Sequence, residues 1–309
     1  MAIRVDFILG CTGCGKGRVG RALARRLDAE IVSVDSMKVY RRMDIGTAKP
    51  SAEERAEVPH HLMDIVEPSE SFSAARFVEA ADAAIAEIAG RGRRILAVGG
   101  TCLYIKSLTE GLFEGPGADP AIRATLRERA AAEGSAALHA ELQRIDPVAA
   151  ERIHPNDLRR IERAIEVFQL TGTPISELQK QWDQSRTRYD CRFWGLRREK
   201  LEQSQRINLR VHRMIEIGLV DEVRALLAEP AGLSEVAAQA VGYAEISAHL
   251  RGACPIDDAI EDIKINSRHL AKSQRTWFRR WQGVHWTDID EADTVDSVVE
   301  RLLPQIVAA

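Results

Sequence analysis

Residues 5–17 have the sequence VDFILGCTGCGKG, a short apolar run followed by the pattern G-x-x-x-x-G-K. The run favours a β-strand, and the residues after Lys16 place apolar side chains at helical spacing, at Val19, Leu23 and Leu27. A strand, a glycine-rich loop and a helix in this order are typical of a P-loop, whose backbone N–H groups and lysine bind phosphate. The sequence therefore predicts a site for a diphosphate or polyphosphate at Gly10, Cys11, Thr12, Gly13, Cys14, Gly15, Lys16 and Gly17.

Two features of this loop depart from the usual pattern. Position 17 holds glycine, whereas the residue after the lysine is usually Ser or Thr, whose hydroxyl ligates the Mg²⁺ that accompanies the phosphates. We therefore assign no metal-ligating residue. Cys11 and Cys14 form a C-x-x-C pair, a spacing that also occurs in redox-active dithiols. The glycines and the lysine favour phosphate binding instead, and our hypothesis for the pair is that its oxidation blocks phosphate entry.

Composition indicates a globular protein of a reducing compartment. The chain has 309 residues, of which 45% are hydrophobic and 29% charged, and its five cysteines are too few and too irregular for a disulfide framework. We expect a cytoplasmic location, no signal peptide and no membrane-spanning segment, because no apolar run is long enough to cross a bilayer. The formal net charge of −3 by itself argues against nucleic-acid binding.

Polar side chains follow two further predicted strands. Residues 30–34 end at Asp35, and residues 95–98 are followed by two glycines and Thr101. Ligands of open parallel sheets lie outside the carboxyl ends of the strands, so Asp35 and Thr101 are expected beside the phosphate loop. Asp35 is a candidate general base or Mg²⁺ partner; the alternative is that it only caps the next turn.

A change of pattern predicts the domain organisation. Gly and Pro residues precede position 120, and the sequence from there to about residue 184 is almost wholly helical in pattern. We predict an α/β core, a P-loop NTPase-like parallel sheet flanked by helices, over 1–114 and 186–309, with an all-helical insertion domain at 115–185. Helices are expected at about 119–133, 135–144, 147–152, 156–171 and 174–183, and in the core at 72–89, 199–228 and 255–281.

One face of the last of these helices is strongly basic. Its cations recur every three or four residues, and no acidic residue lies among them: they are Lys264, Arg268, Lys272, Arg275 and Arg279. Because a solvated face normally mixes both signs of charge, this pattern favours a polyanionic partner such as nucleic acid. A solvated face is the alternative, both here and for the arginines at 159–163.

The ordered set of motifs resembles that of the tRNA dimethylallyltransferases, also called tRNA isopentenyltransferases, over nearly the whole chain. The motifs are residues 10–16, 35–36, 39–41, 43–50, 59–65, 68–75, 98–101, 153–157, 160–161, 172–176, 242–243 and 274–279. This family transfers a five-carbon allylic group from dimethylallyl diphosphate to the exocyclic N6 amine of an adenosine. That adenosine lies just 3′ of the anticodon in tRNAs that read codons beginning with U.

The resemblance implies partners and residue roles. The phosphate loop would hold the diphosphate of the donor rather than ATP, with Mg²⁺ as cofactor, and the helical insertion would bind the anticodon stem-loop of the tRNA; we expect a monomer. Asp35 matches the general base, Thr101 matches a residue contacting the reacting nucleotide, and Arg206 and Arg210 match the region that reaches the diphosphate. Positions matching tRNA contacts are Asp35, Ser36, Met37, Lys38, Thr101, Arg123, Arg159, Arg160, Ile161, Glu162, Arg163, Lys264, Arg268, Lys272, Arg275 and Arg279.

The sequence departs from the family pattern at five positions. Gly17 replaces the hydroxyl residue, Lys38 stands where Gln is common, Arg42 where Gly is, Ala244 where Lys or Arg is usual, and Ser273 where Arg is usual. Two of these changes remove positive charge and one removes a metal ligand. We therefore expect weaker binding of Mg²⁺ or of the donor than in a typical member, with the reaction unchanged.

Three other functions compete with this interpretation. An adenylate isopentenyltransferase would use the same donor on free AMP or ADP, and a small-molecule P-loop kinase would also place Asp after its second strand. The helical insertion and the basic face argue against the first, and Gly17 and the size of the insertion against the second. A non-catalytic tRNA-binding paralogue is the third; the presence of Lys16, Asp35 and Thr101 argues against it.

Overall fold

A computed structural model describes residues 2–112, 115–180 and 187–309. The chain divides into two compact units: unit 1 comprises Met1–Thr109 and Thr187–Ala309, and unit 2 comprises Glu110–Arg186. The predicted domain boundaries at 114/115 and 185/186, and the end of the helix predicted at 174–183, lie outside the described residues.

The helices follow one another in chain order. They are α1 Lys16–Leu27, α2 Ala52–Glu57, α3 Ala74–Gly90, α4 Cys102–Glu110, α5 Pro120–Glu133, α6 Ser135–Ile145, α7 Pro147–Arg152, α8 Leu158–Thr171, α9 Ile175–Leu178, α10 Lys200–Glu216, α11 Leu219–Ala228, α12 Glu235–Ala238, α13 Tyr243–Leu250, α14 Ile256–Phe278 and α15 Val295–Ala308. No helix in the described ranges is long and apolar enough to cross a membrane.

Unit 1 is built on a six-stranded sheet in the order β3-β2-β4-β1-β5-β6, in which every neighbouring pair is parallel. The strands are β1 Arg4–Gly10, β2 Ala29–Val34, β3 His60–His61, β4 Arg94–Gly99, β5 Asp190–Arg198 and β6 Val284–Ile289. Successive side chains of β1 alternate between two apolar cores: Phe7 and Leu9 pack in one, and Ile8 packs in the other. Helices thus cover both faces, as a buried parallel sheet requires.

Unit 2 is helical and has a core of its own, formed by residues such as Leu126, Leu142 and Ile165. Acidic residues precede α5 and α7: Asp119 accepts from two N–H groups of α5, and Asp146 accepts from the N–H groups of Ala149 in α7 and Ser176 in α9. The predicted α/β fold with an all-helical insertion is confirmed.

The structure differs from the predicted elements in several places. The helix predicted over 199–228 is two helices, α10 and α11, because Gly218 between them adopts φ 102°, a left-handed conformation outside helical geometry. The strand β6 and the helix α15 were not predicted. Both belong to unit 1, where β6 extends the sheet beyond β5 and α15 packs on α1.

Candidate active site

The phosphate loop, residues 10–17, connects β1 to α1 in unit 1. Gly13 and Gly15 have φ values of 85° and 97°, which a side chain would strain, and the helix begins at Lys16 with no side-chain cap. Among the described residues, no side chain caps the first N–H groups of α1, and with the helix dipole these groups favour an anion at this position. The sequence-predicted strand, loop and helix are all present.

Three side chains from distant helices fix Thr12 in this loop. Its N–H donates to Oε1 of Gln274 at 2.7 Å, its carbonyl accepts from Nε2 of Gln203 at 2.7 Å, and its hydroxyl accepts from Nη2 of Arg210 at 2.9 Å. Arg206 donates to the carbonyl of Gly13 at 3.3 Å. Both predicted arginines thus reach the loop. Gln203 was not predicted, and nothing in its sequence surroundings marks it.

Asp35 and Thr101 lie at the carboxyl ends of β2 and β4, where the sequence places them. Oδ1 of Asp35 accepts from the N–H groups of Met37 and Lys38 at 2.9 and 3.3 Å, while the hydroxyl of Thr101 accepts from the N–H of Ser36 at 3.1 Å. Asp35 does cap the turn, but with one oxygen only. Within the described residues, Oδ2 forms no hydrogen bond and remains available to a substrate.

A glycine brings β4 close to the phosphate loop. A Cβ added to Gly100 would lie 3.4 Å from Cε of Lys16 and 2.7 Å from Nε2 of Gln274, which also donates to the Gly100 carbonyl at 2.8 Å. A side chain at this position would meet both groups. The close approach therefore places Thr101, the next residue, beside the lysine of the loop.

Cationic groups surround Asp35. Burial lowers the pKa of Lys38 from 10.5 to about 8; the carboxylate of Asp35 opposes this shift, and the positive charges of Lys16, Arg21 and Arg210 add to it. Burial also lowers the pKa of the Arg210 guanidinium, and Asp35 again opposes the shift. The site is thus electropositive, which suits a polyanionic ligand.

Cys11 of the loop and Cys102 at the start of α4 have the properties of buried thiols. Burial and the neighbouring Cys14 raise the pKa of Cys11, although Arg275 and Lys16 lower it in part, and burial raises the pKa of Cys102 to about 12. A thiol with a raised pKa is a poor nucleophile. This environment does not support a redox role for the loop cysteines. The hypothesis that oxidation of the Cys11–Cys14 pair blocks phosphate entry stays a prediction.

The residues present fit a resident magnesium ion poorly. Across the described residues, no three His, Cys, Asp or Glu side chains come together as a metal site. Position 17 lacks the usual hydroxyl, and a Cβ added there would meet no atom of the described part of the chain within 4 Å. The hydroxyl of Thr12, in the same loop, already accepts from Arg210. We therefore derive no step through this ion.

The cavity that we call the basic groove has a volume of about 340 Å³ and is lined by α10 and α14. Its cationic lining residues are Lys200, Arg268, Lys272, Arg275 and Arg279. Two of them are oriented by α10: Arg268 donates to Asn208 at 2.7 Å, and Arg275 donates to Gln203. Four of the five cations predicted on this helix therefore share one cavity.

Lys264, the fifth, does not belong to that surface. It is 6% exposed and pairs with Glu261 at 2.6 Å, one helical turn earlier. We therefore no longer assign it a tRNA contact. Helical spacing places Lys264 in the basic repeat. Its burial depends instead on the elements that pack around α14, which the spacing does not reveal.

Unit 2 divides its predicted tRNA-contacting residues into exposed and buried groups. Arg159 and Arg160 are exposed, whereas Ile161 and Glu162 are 0% and 5% exposed and lie in or against the helical core. We therefore no longer assign a tRNA contact to the Ile161 and Glu162 side chains.

Two other predicted tRNA contacts are held by one buried carboxylate. Arg123 donates to both oxygens of Glu166 at 2.8 and 3.0 Å, and Arg163 donates to Glu166 at 2.6 Å and to the carbonyl of Pro116 at 2.7 Å. Glu166 itself is 0% exposed. Burial raises the pKa of its carboxyl group, but the hydrogen bonds lower it by more, so the pKa lies below its usual value. The two guanidinium groups are thus fixed in position on the surface of unit 2.

The chain is similar to known proteins over nearly its whole length. A family model described as IPP transferase matches residues 38–281. A tRNA dimethylallyltransferase of Geobacter metallireducens is 49% identical over 300 residues, which cover 97% of this chain and 96% of that protein. A tRNA dimethylallyltransferase of Geobacillus kaustophilus is 44% identical over 304 residues, covering 98% of this chain and 96% of that protein.

Two solved structures are also similar. The full-length tRNA isopentenylpyrophosphate transferase of Bacillus halodurans has 41% sequence identity and a TM-score of 0.73, covering 99% of this chain and 96% of that one. A eukaryotic dimethylallyltransferase acting on tRNA has 27% identity and a TM-score of 0.83, covering 99% of this chain and 79% of that one. The similarity therefore extends to both sequence and fold.

Proposed function

We propose, from the premise that this chain belongs to the tRNA dimethylallyltransferase family, that it transfers a dimethylallyl group from dimethylallyl diphosphate to a tRNA adenosine. The acceptor is the N6 amine of the adenosine 3′ to the anticodon, and the products are N6-isopentenyladenosine and diphosphate. The observation that supports this most directly is the position of Asp35 and Thr101. Both lie at strand ends. Gly100, which precedes Thr101, approaches the lysine of the phosphate loop, and the Ser36 N–H, next to Asp35, donates to Thr101.

The phosphate loop binds the leaving group. As the bond between the allylic carbon and the diphosphate oxygen breaks, both electrons move to the oxygen, and negative charge on the diphosphate increases. Lys16, the N–H groups at the start of α1, and Arg210 supply positive charge where this occurs. Arg210 is well placed for this role, because its Nε is buried without a hydrogen-bond partner in the described part of the chain.

Asp35 accepts the proton of the attacking amine. The N6 lone pair forms the new bond to the allylic carbon, and the amine then loses a proton to Oδ2 of Asp35. The other oxygen is held by the N–H groups of Met37 and Lys38, so the carboxylate has a defined orientation. Thr101 is positioned by the same turn and contacts the nucleotide.

The tRNA is bound by its backbone, and its target base leaves the stack. A base within a stacked anticodon loop cannot reach Asp35, so we propose that the adenosine flips into the site. The basic groove in unit 1 and the exposed arginines of unit 2 offer phosphate contacts. Each of these basic surfaces suits an anticodon stem-loop better than free AMP.

Magnesium remains a proposal for this chain. Because the protein supplies no hydroxyl at position 17, an ion that accompanies the donor would be held mainly by diphosphate oxygens and water.

Mass spectrometry of a synthetic anticodon stem-loop tests the proposed function. The protein is incubated with dimethylallyl diphosphate and Mg²⁺ and with a stem-loop that has A-A-A at the modified position; we expect a gain of one isopentenyl unit, absent with Asp35→Ala. AMP replaces the stem-loop in a parallel reaction. Modification of AMP but not of the stem-loop would indicate an adenylate isopentenyltransferase. No product under any metal condition would indicate a non-catalytic paralogue.

A further inference from the structure

Lys38 lies in the turn that follows β2, and its backbone is fixed on both sides. Its N–H donates to Oδ1 of Asp35 at 3.3 Å, and its carbonyl accepts from the N–H of Asp64 at 3.2 Å. The side chain is half-buried and close enough to Asp35, Lys16 and Arg210 for their charges to shift its pKa. Among residues 2–112, 115–180 and 187–309, no group accepts a hydrogen bond from the Lys38 ammonium.

Positive charge exceeds negative charge around Asp35. Lys16 and Lys38 form no ion pair within the described ranges, and Nε of Arg210 is buried there without a hydrogen-bond partner. Three cations therefore surround one carboxylate, and a fourth, Arg21, is already paired with a glutamate on α2. Partly buried cations that outnumber their acidic partners repel one another, and a bound anion would relieve this repulsion. The cluster is thus suited to a ligand that carries several negative charges.

Position 17 explains why an additional cation is useful here. In ordinary P-loops the hydroxyl at this position ligates Mg²⁺, and the ion neutralises part of the phosphate charge. Gly17 has no hydroxyl, and a Cβ there would meet none of the described residues within 4 Å, so space is open around it. The same chain has a lysine at position 38. It lies in the turn that Asp35 caps, and this turn contacts Thr101, which follows the glycine that approaches Lys16.

We propose that the Lys38 ammonium binds the diphosphate of the donor and supplies positive charge that the phosphate loop lacks at position 17. This inference rests on the proposed function, and it assigns Lys38 to the leaving group rather than to the tRNA contact that the family resemblance implies. As the allylic carbon–oxygen bond breaks, the ammonium stabilises the charge that develops on the diphosphate. Asp35 remains the acceptor of the N6 proton.

Titration calorimetry with inorganic diphosphate tests this role without requiring transfer. In EDTA near neutral pH, we expect Lys38→Gln to weaken diphosphate binding by about tenfold or more, because a charge-assisted contact is lost. Lys38→Arg keeps the charge and should bind within about threefold of the wild type. Lys180→Gln, which removes an exposed lysine of unit 2, is the matched control and should leave the affinity unchanged. Thermal unfolding verifies that each variant is folded.

The dependence of diphosphate affinity on pH and on Mg²⁺ distinguishes charge stabilisation by Lys38 from a purely structural role. The charged or titratable groups that face Lys38 are Asp35 in its own turn, Lys16 and Arg21 on α1, Arg210 on α10, and His60 on β3. Since the ammonium loses its proton as pH rises, the affinities of wild type and Lys38→Gln should converge by about pH 10. Adding Gly17→Thr to Lys38→Gln should restore diphosphate binding only when Mg²⁺ is present.

Two results would overturn the proposal. The first is equal diphosphate affinity of wild type and a folded Lys38→Gln variant near neutral pH in EDTA. The second is a Lys38→Gln variant that loses affinity for the anticodon stem-loop but keeps its affinity for diphosphate. Failure of the proposed function gives a different result, in which diphosphate binding depends on Lys38 but the wild type transfers no isopentenyl unit to the stem-loop.

Discussion

Replacing Gln274 with alanine tests whether α14 shapes the phosphate loop. The Gln274 amide accepts from the N–H of Thr12 at 2.7 Å and donates to the carbonyl of Gly100 at 2.8 Å, so it joins the loop to the end of β4. Each hydrogen bond contributes roughly 0.5–1.5 kcal/mol net, so the loss of both costs about 1–3 kcal/mol. If this free energy is lost from the complex with the donor, diphosphate affinity should decrease by about 5- to 150-fold.

The assay compares donor binding with global stability. Titration with inorganic diphosphate and transfer kinetics at varied dimethylallyl diphosphate measure the first, and thermal unfolding measures the second. Gln305→Ala is the matched control, because Gln305 lies on α15 and its amide donates to the carbonyl of Arg301 at 2.8 Å. A Gln274→Ala variant with a lower unfolding temperature but unchanged diphosphate affinity and donor KM would refute the reasoning, since the contact would then be only structural.

Three further substitutions test other parts of the site. Asp35→Asn removes the general base but keeps an oxygen for the turn, so single-turnover transfer should slow by about 10²–10⁴-fold while anisotropy shows unchanged stem-loop binding. Glu222 accepts from the consecutive backbone N–H groups of residues 44–46 and from the Tyr243 hydroxyl, so Glu222→Ala should lower the free energy of unfolding in urea by about 3 kcal/mol. Lys272 lines the basic groove and is exposed, so Lys272→Gln should reduce the salt dependence of stem-loop binding by about one unit of log–log slope.

Each of these expectations has a result that contradicts it. Transfer by Asp35→Asn at the wild-type rate would assign the proton to another acceptor. A Glu222→Ala variant as stable as Glu79→Ala, a change at an exposed position of α3, would mean that water replaces the lost acceptor. An unchanged salt dependence in Lys272→Gln would place the RNA outside the basic groove.

Local patterns in the sequence were sufficient to predict the centre of the molecule. The apolar run before Gly10 predicts β1, and the glycines and Lys16 predict the loop, because these preferences depend on neighbouring residues only. The positions of Asp35 and Thr101 follow from a general property of parallel sheets, that the carboxyl ends of strands lie at one edge. The family predicted from the motifs is confirmed by the similarity to known proteins.

Contacts between distant residues were not predictable in the same way. Gln203 and Thr12 are 191 positions apart, and a glutamine on a polar helix gives no indication of which backbone carbonyl it will contact. The strand β6 has mostly partly buried and exposed side chains, because it lies at the edge of the sheet, and it therefore lacks a clear apolar pattern. The helix α15, in contrast, has a local signal, because its buried residues Val298, Leu302 and Ile306 have helical spacing.

The chain leaves unit 1 and returns to it at one place, and this affects how such proteins can evolve. The N–H of Arg188 donates to the carbonyl of Thr109 at 2.9 Å, so the chain returns beside the place where it departed. The cost of closing a loop rises only slowly with its length, and the register of β5 against β1 is set by residues after this junction. Helices can therefore be gained, lost or exchanged between these two residues while the sheet and its phosphate loop are inherited unchanged.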